Sequence, residues 1–407
     1  MAIIMEMRIE LPKIDTTKKI QKEEFKDRVR KLQDELDKRN IDLGIAYSSP
    51  LVPGDVFYLS GYDPHLEVSA AILISPAKMI VLGGPESVEY AKESMRAGVW
   101  RYLKEFQLSW EDYPQAEFSS LKEVIDETVE GKKIKRVGLL TTKDIVSVGW
   151  MELIKNNVGE NVEFVDATEI LAEARYIKSK NEQEMIRIAN VIAAEAIKKM
   201  IENIKHGMRE LEVAAYGDYV CKSMGAYNYG YDTLVTTGKR INTIIGRSCN
   251  KIINNGDVCI LGVCPRYEGY SGAPSRTIVV GGANKGQAEF LEHGLKVHEL
   301  AVGKYVFGKP ARDLDITARE FHKKAGLGQY QMYSSAHGTG ISEAFEGRAA
   351  TRFSDYNFPK NIVSMIDIGL YGHPDYFGFR HEEAYSIDNE GITRKLTDLP
   401  VRVYERR

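Results

Sequence analysis

The sequence lacks an excess of charge of either sign and has no long apolar run. Its 55 Lys and Arg residues are nearly matched by 58 Asp and Glu residues, which gives a formal net charge of −3. A balanced charge argues against nucleic acid or an anionic membrane as the main partner. No stretch reaches the length of a membrane span, and charged residues interrupt the apolar residues between Met1 and Lys22, so neither a membrane anchor nor a signal peptide is predicted.

Cysteine is also scarce. The chain contains four cysteines, Cys221, Cys249, Cys259 and Cys264, without the close spacing of a metal-binding motif. In the absence of a secretion signal, this pattern favours free thiols in a reducing cytosol, so we expect a cytoplasmic protein. The 407 residues, of which 43% are hydrophobic, are sufficient for two domains with sizeable cores.

The first part of the chain shows a regular alternation of helix and strand patterns. Apolar residues recur at helical spacing between Lys22 and Arg39, and a continuous apolar run from Ile41 to Tyr47 follows. This predicts a helix that leads directly into a strand. Further short apolar runs alternate with helix-like segments, and together they predict a mixed α/β domain over residues 1–172.

A domain boundary is predicted just before a long amphipathic helix. Ser179 and Glu182 have the spacing of a capping box, and apolar residues then recur on one helical face up to Ile204. Gly207 is well placed to end this helix, because glycine tolerates the left-handed cap conformation. Strand-like and helix-like segments alternate after it, so residues 173–407 are predicted to form the second domain.

One motif in this second domain resembles a known metal-binding hairpin. The run from Tyr267 to Thr277 contains Gly-Tyr, a short polar stretch and then Arg-Thr, as in the Asp-bearing hairpin of the creatinase, prolidase and aminopeptidase P superfamily. Further motifs of the superfamily follow its order: Arg-x-Ile-Lys-Ser from Arg175, Asn250-Lys251-Ile252, Gly256-Asp257, the run His337 to Gly340 and the run Gly378 to Glu382. The resemblance implies an α+β pita-bread catalytic domain after an α/β N-terminal domain.

The same resemblance implies where metal ligands should stand. The metallopeptidases of the superfamily hold two metal ions with two Asp, one His and two Glu residues, because neighbouring cations must be neutralised and bridged. Counting from the motifs, the corresponding positions are Gly262 and Ala273 for the Asp pair, Ile341 for the His, Ile366 or Asp367 for the first Glu, and Glu382 for the second. At most two ligands remain, so we predict no metal and no other cofactor.

Three residues are candidates for catalysis. Creatinases in the superfamily lack the metal set and use a His as an acid and base. No His precedes Asn250 here as it does in creatinases, so the candidate is His337, whose imidazole suits proton transfer near neutral pH; a structural role in a glycine turn is the alternative. Glu382 is the second candidate. Cys264, which strand alternation places on the face of Gly262, is either a nucleophile or a small buried apolar group.

Six further residues are candidates for binding a substrate. Asp367 and Glu343 would hold a cationic group, Arg348 and Arg247 an anionic one, and His381 either contacts substrate or joins an ion-pair network. Tyr58 lies in a Tyr-Leu-Ser-Gly stretch that resembles the N-terminal domain of the family. In creatinases this domain helps to cover the partner's active site, so the resemblance implies a homodimer.

These observations lead to three hypotheses about function. The leading one is a metal-independent, creatinase-like hydrolase that cleaves a carbon–nitrogen bond in a small polar substrate. The second is a metallopeptidase of the Xaa-Pro aminopeptidase or prolidase type. The third is a binding protein that kept the cavity and lost the chemistry.

Overall fold

The structure of the protein is a computed structural model that describes residues 10–67, 69–344 and 346–406. It divides into two units, which are described separately here. The first contains residues 20–177, and the second contains residues 178–406 together with the stretch that ends at Lys19. The predicted boundary at residue 172 therefore falls a few residues early, within a helix, Thr168–Tyr176, that still belongs to the first unit.

The first unit contains a six-stranded mixed sheet and its covering helices. In chain order the elements are α1 (Lys22–Lys38), β1 (Leu43–Ser48), α2 (Gly54–Ser60), β2 (Ala70–Ile74), β3 (Met79–Gly83), α3 (Val88–Ser94), β4 (Val99–Tyr102), α4 (Leu121–Thr128), β5 (Arg136–Leu139), α5 (Val148–Val158), β6 (Glu163–Asp166) and α6 (Thr168–Tyr176). The strands lie in the order β4-β3-β2-β1-β5-β6. The predicted helix followed by a strand at residues 22–47 is confirmed as α1 and β1.

The core of this unit forms between one face of the sheet and two helices. Leu121 and Ile125 of α4 and Trp150 and Ile154 of α5 pack with the apolar side chains of the central strands, among them Leu43. Ser120 and Glu123 form a capping box that satisfies backbone N–H groups at the start of α4. Local capping and burial of one apolar face therefore specify the same helix.

The second unit is built around a nine-stranded sheet. Its elements are α7 (Lys180–Asn203), α8 (Glu210–Ser223), β7 (Asn228–Tyr229), β8 (Leu234–Thr237), β9 (Val258–Gly262), β10 (Pro265–Tyr267), β11 (Tyr270–Ser271), β12 (Ser275–Val280), α9 (Lys285–Val302), α10 (Arg312–Lys324), β13 (Ala336–Gly338), β14 (Ala349–Ala350), β15 (Ile362–His373), β16 (Phe377–Ile387), β17 (Thr393–Lys395) and β18 (Tyr404–Arg406). The main path of the sheet is β14-β13-β15-β16-β12-β9-β8, and β7, β10 and β11 form a small separate sheet. None of the helices in the described part of the chain combines the length and apolar character needed to cross a membrane.

Helix α7 begins as the sequence predicts. Ser179 accepts a hydrogen bond from the backbone N–H of Glu182, and the Glu182 side chain returns to the backbone of Ser179. The apolar face that follows is buried along most of the helix. The helix ends at Asn203, slightly before the predicted stop, and Gly207 adopts the expected left-handed conformation with φ of 88°.

Strands β15 and β16 form a long hairpin whose register places two acidic side chains opposite each other. Asp367 lies directly opposite Glu382 in this pair. Glu382 in turn lies opposite Ser275 of β12, and Ser275 lies opposite Gly262 of β9. Directly paired residues share a face of the sheet, so these four positions form one row across four strands.

The opposite face of the same strands is fixed by a different ion pair. Arg276 contacts the carboxylate of Glu383 and donates to the backbone carbonyls of Ser275, Glu382, Leu399 and Pro400. Both side chains are fully buried. The prediction that Arg276 fixes the hairpin through a salt bridge is confirmed. Its guanidinium binds the carboxylate of Glu383 and also donates to the backbone carbonyls of Glu382 and Leu399.

Candidate functional site

Three potential metal ligands converge on the face of the sheet defined by the row above. The described residues place a nitrogen of His337 and carboxylate oxygens of Asp367 and Glu382 within 4.8 Å of one another. The three residues come from adjacent strands, β13, β15 and β16. From the motifs we expected at most two ligands, Glu382 and the residue at Ile366 or Asp367. The position of the His ligand was assigned to Ile341. In the structure, His337 itself joins the cluster.

The orientation of His337 leaves one ring nitrogen available. Its Nδ1 lies 3.0 Å from the carbonyl oxygen of Gly338, to which an N–H at this position donates. Nε2 then faces the carboxylates, 3.4 Å from Glu343 Oε1 and 3.6 Å from Glu382 Oε1. A backbone carbonyl that fixes the tautomer in this way is the usual support of a metal-binding imidazole.

A buried guanidinium holds the two carboxylates of the hairpin. Arg380 donates to both oxygens of Asp367, from Nε at 3.1 Å and from Nη2 at 2.8 Å. The same Nη2 lies 2.8 Å from Glu382 Oε2, an ion-pair contact without hydrogen-bond geometry. The hydroxyl of Tyr333 also donates to Asp367, at 3.1 Å. Asp367 is thus well supported, whereas both oxygens of Glu382 lack a hydrogen-bond partner among the described residues.

The pKa values of His337 and Glu382 are both raised, so the cluster favours the binding of positive charge. Burial lowers the pKa of His337, but the carboxylates of Glu343 and Glu382 outweigh burial and raise it to about 10. Burial also raises the pKa of Glu382 to about 7, although Arg380 opposes the change. Protons therefore neutralise this cluster when no other cation does.

The residues fit one divalent metal ion. An imidazole and two carboxylates suit first-row divalent metals, and three protein ligands with a remaining open position are typical of catalytic sites. Two features of the structure support the fit: the oxygens of Glu382, which lack a hydrogen-bond partner among the described residues, and the Nε2 of His337 aimed at them. No donor for a second ion comes from Gly262 or Ala273, whose positions carry no polar side chain.

Tyr231 is a site residue that the sequence analysis did not identify. Its buried hydroxyl has no hydrogen-bond partner among the residues that the structure describes. A Cβ atom added to Gly262 would lie 3.5 Å from this hydroxyl. Burial, and next the charge of Glu382, raise the pKa of the Tyr231 phenol, which therefore stays a donor. The only hint in the sequence is its position in the tyrosine-rich stretch of residues 227–231.

Cys264 lies near the site but in an apolar setting. It is fully buried in a cluster with Ala273, Met365 and Ala384. Burial, and then the negative charge of Glu343, raise the pKa of the thiol. A nucleophile must be a thiolate, so the surroundings favour the alternative of a small buried apolar group.

Three other predicted residues do not reach the cluster. Arg247 is 87% exposed and pairs with Asp232, and Arg348 is exposed with its guanidinium over the ring of Tyr356. His381 points to the opposite face of β16, where burial and then Arg276 lower its pKa to about 3. Alternation along the strand explains this, because Arg380 and Glu382 share one face and His381 the other.

Tyr58 belongs to the other unit of the structure. Its hydroxyl donates to the carbonyl of Ala174 at 3.2 Å, and the guanidinium of Arg28 lies over its ring. These contacts give it a structural role within the first unit. Its predicted contribution to a partner's site, and the homodimer itself, stay predictions.

Comparison with protein-family models assigns both parts of the chain. Residues 184–389 match the model described as metallopeptidase family M24. Residues 28–177 match the model of the creatinase/prolidase N-terminal domain.

Known proteins resemble the chain over nearly its whole length. An Xaa-Pro dipeptidase from Pyrococcus furiosus is 30% identical over 372 residues, which cover 91% of this chain and 97% of that protein. Among solved structures, a prolidase from Pyrococcus horikoshii OT3 matches with a TM-score of 0.78 and 26% identity, covering 93% of this chain and 99% of the other. An X-Pro aminopeptidase from Thermotoga maritima MSB8 matches with a TM-score of 0.79 and 25% identity over the same shares.

These comparisons correct the leading hypothesis about function. A metal-independent, creatinase-like hydrolase was preferred because four of the five ligand positions seemed empty or uncertain. The relatives with this chain's length and fold are named Xaa-Pro dipeptidase and prolidase, and the matching family is one of metallopeptidases. The hypothesis was wrong because motif counting cannot show that His337 and Asp367 converge with Glu382.

The first prediction concerns binding of a cation by the cluster. We expect Mn²⁺ or Co²⁺ to raise the melting temperature of the protein, because a bound ion stabilises only the folded state. His337→Ala, Asp367→Asn and Glu382→Gln should each remove this increase. Scanning fluorimetry with and without the metal measures the effect.

The control for these variants is Glu320→Gln, at an exposed position of α10, which should respond to the metal like the parent protein. The cation affinity should also fall as the pH is lowered from about 10, because protons on His337 and then on Glu382 compete with the ion. A metal response that survives in all three variants would place the ion elsewhere.

Proposed function

Since this chain belongs to metallopeptidase family M24, and is therefore a hydrolase of the peptidase class, we propose that it cleaves Xaa-Pro dipeptides with one divalent metal ion held by His337, Asp367 and Glu382. The family predicted from the motifs is confirmed, as is the α/β N-terminal domain followed by a pita-bread domain. The substrate and the metal are our inference.

Charge balance in a buried cluster is the observation that carries the proposal. The carboxylates of Glu343, Asp367 and Glu382 contribute three negative charges, and the guanidinium of Arg380 contributes one positive charge. Two negative charges remain, which one divalent cation neutralises while His337 stays neutral. Burying uncompensated charge is costly, so a cluster of this composition favours a bound cation.

The same balance argues for one ion and against two. A second dication would need further carboxylates, and the positions that supply them in the superfamily are Gly262 and Ala273 here. Next to Gly262 stands the neutral phenol of Tyr231. This half of the site offers a hydrogen-bond donor where a second ion would need an anion.

The side chains around the ion position suit peptide-bond hydrolysis. A metal ion bound here would supply an activated water and polarise the substrate carbonyl. Glu343, whose Oε1 is buried without a hydrogen-bond partner, is placed to accept a proton and pass it to the leaving nitrogen. Tyr231 is placed to donate to the oxygen that becomes negative in the transition state. Arg380 holds Asp367 and Glu382 in position.

The names of the relatives support the choice of substrate. The proteins from Pyrococcus furiosus and Pyrococcus horikoshii, at 30% and 28% identity, are both named Xaa-Pro dipeptidase. This chain spans 97% and 96% of their lengths, so it contains the counterpart of both of their domains. We therefore extend Xaa-Pro cleavage to this chain as a proposal.

Hydrolysis of an Xaa-Pro dipeptide is the direct test of the proposed function. The protein loaded with Mn²⁺ or Co²⁺ should release proline from Ala-Pro or Leu-Pro, lose this activity to a chelator and regain it with metal. His337→Ala should abolish turnover, and its melting temperature without metal should be nearly unchanged, since the side chain is a ligand and is not part of the core. Proline release and thermal unfolding are the two measurements.

A large loss of stability in His337→Ala with residual turnover would indicate a structural histidine. The absence of hydrolysis by the metal-loaded parent protein on any Xaa-Pro dipeptide would refute the proposed substrate.

Restoring the Asp pair should change the metal content. The double variant Gly262→Asp and Ala273→Asp is expected to bind a second ion, since it supplies the carboxylates that the neutral half of the site lacks. A Cβ at position 262 meets no atom closer than 3.4 Å, so the first carbon of the side chain fits. Metal per chain, measured by plasma mass spectrometry, should rise from one to two, and each single variant serves as the control. Two ions per chain in the parent protein would contradict the one-ion proposal.

The variant Tyr231→Phe tests whether the Tyr231 hydroxyl donates a hydrogen bond to the oxygen that becomes negative in the transition state. Loss of the hydroxyl should lower kcat by about 100-fold, the usual effect of removing an oxyanion donor, with little change in KM. Tyr229→Phe is the matched control, because that hydroxyl donates to the carbonyl of Asp218. Steady-state kinetics on Ala-Pro separate the two parameters, and an unchanged kcat in Tyr231→Phe would exclude this role.

A further inference from the structure

Arg266 is a buried cation that forms no ion pair with any residue that the structure describes. Its side chain is 2% exposed, and it is among the largest fully buried side chains of the described residues. Neither Nε nor Nη1 has a hydrogen-bond partner within residues 10–67, 69–344 and 346–406. A guanidinium stays charged in any protein, so it cannot escape this situation by losing a proton.

The other buried arginines of the structure show how unusual this is. Arg28 and Arg175 pair with Glu24 and Asp55, and Arg380 pairs with Asp367. Arg276, as deeply buried as Arg266, has a carboxylate and four carbonyls as acceptors. This fold supplies acceptors wherever a buried arginine serves structure alone, so the missing acceptor at Arg266 indicates a ligand.

The surroundings of Arg266 lead to the candidate active site. Ser271 lies directly opposite it in the pair of β10 and β11, so both side chains share one face. Ser271 binds the loop after His337, with its N–H donating to Gly340 and its hydroxyl to Ile341. That loop carries Glu343, which lies 3.4 Å from His337.

The side chains of Cys264, Ser271 and Glu343 lie close together around Gly230. A Cβ atom on this residue would lie 2.5 Å from Cys264 Sγ, and 3.4 Å from both Ser271 Oγ and Glu343 Cβ. The charge of Arg266 acts on the same Cys264 thiol and lowers its pKa, whereas the charge of Glu343 raises it. Cys264 thus lies near both a carboxylate, Glu343, and a guanidinium, Arg266.

We propose that Arg266 is a subsite that binds a carboxylate of the peptide substrate. A guanidinium forms strong charge-assisted bonds to a carboxylate, and Nε and Nη1 of Arg266, which lie on different edges of the group, both lack an acceptor among the described residues. The carboxylate comes either from the C-terminus of the dipeptide or from an acidic side chain. This inference rests on the proposed function for the peptide nature of the ligand, but the binding of a carboxylate is testable without turnover.

Binding is measured first, by thermal shift with L-proline and with the neutral L-prolinamide. The parent protein should be stabilised by L-proline or by acetate and not by L-prolinamide, and Arg266→Met should lose this response. Its own melting temperature should not fall, because the change removes an unpaired buried charge. Arg266→Lys, which keeps the charge but not the planar guanidinium, should keep part of the response and is the second variant if Arg266→Met does not fold. Arg312→Met, at an exposed position of α10, is the control.

Kinetics then distinguish the two sources of the carboxylate. If the C-terminus is bound, Arg266→Met should raise KM for Ala-Pro by about 10- to 100-fold, the range expected for one charge-assisted contact, and leave weak cleavage of Ala-Pro amide unchanged. If an acidic side chain is bound, the same loss should appear for Glu-Pro amide and not for Ala-Pro.

Two results would overturn the subsite: equal stabilisation of parent and Arg266→Met by the carboxylate probes, or a large stability loss in Arg266→Met and Arg266→Lys with unchanged probe binding. Absence of all peptidase activity in the parent protein, with Arg266-dependent binding of L-proline retained, would refute the proposed function and leave the subsite standing.

Discussion

Two carboxylates directly opposite each other in a buried hairpin are the constraint around which the catalytic unit is organised. Asp367 and Glu382 face each other across β15 and β16, an arrangement in which like charges repel. Arg380 makes the pairing tenable, because it lies on the same face as Glu382 and contacts both carboxylates. The remaining charge of the cluster is then available for a metal ion, and the imidazole of His337 completes the set of ligands.

This constraint divides the site into a charged half and a neutral half. The row of paired residues continues from Glu382 through Ser275 to Gly262, where no further carboxylate is present. Arg380 neutralises one carboxylate of the hairpin, and in the proposed site one dication would neutralise the remaining carboxylate of the hairpin together with Glu343. Additional acids at the far end of the row would require a second cation, so the phenol of Tyr231 beside Gly262 is consistent with a site built for a single ion.

Much of the fold was predictable because its signals are local. The capping box of Ser179 and Glu182 and the apolar periodicity after it specify α7 without reference to the rest of the chain. The ordered motifs then identified the family and its pita-bread domain. The site was harder to predict, because it depends on which strands pair and in which register.

The errors at particular residues have the same physical origin. Ile341 was assigned the ligand position by counting from His337, yet the pairing of β13 with β15 brings His337 itself to Asp367. Arg247 and Arg348 lie near motifs in the sequence, but their loops carry them to the surface. Tyr231 and Arg266 belong to no motif, and only their burial without partners reveals them.

The two deeply buried arginines of the β10 to β12 region, Arg266 and Arg276, show why satisfied and unsatisfied charges have different meanings. Arg276 joins strands, and every acceptor it needs is part of the chain. Arg266 has the same cost of burial without such acceptors among the described residues, and a bound carboxylate would offset that cost. Arg266 and Glu343 carry opposite charges, and both charges act on the thiol of Cys264. A substrate carboxylate is therefore attracted by Arg266 and repelled by Glu343, and this difference favours the orientation in which the carboxylate lies towards Arg266.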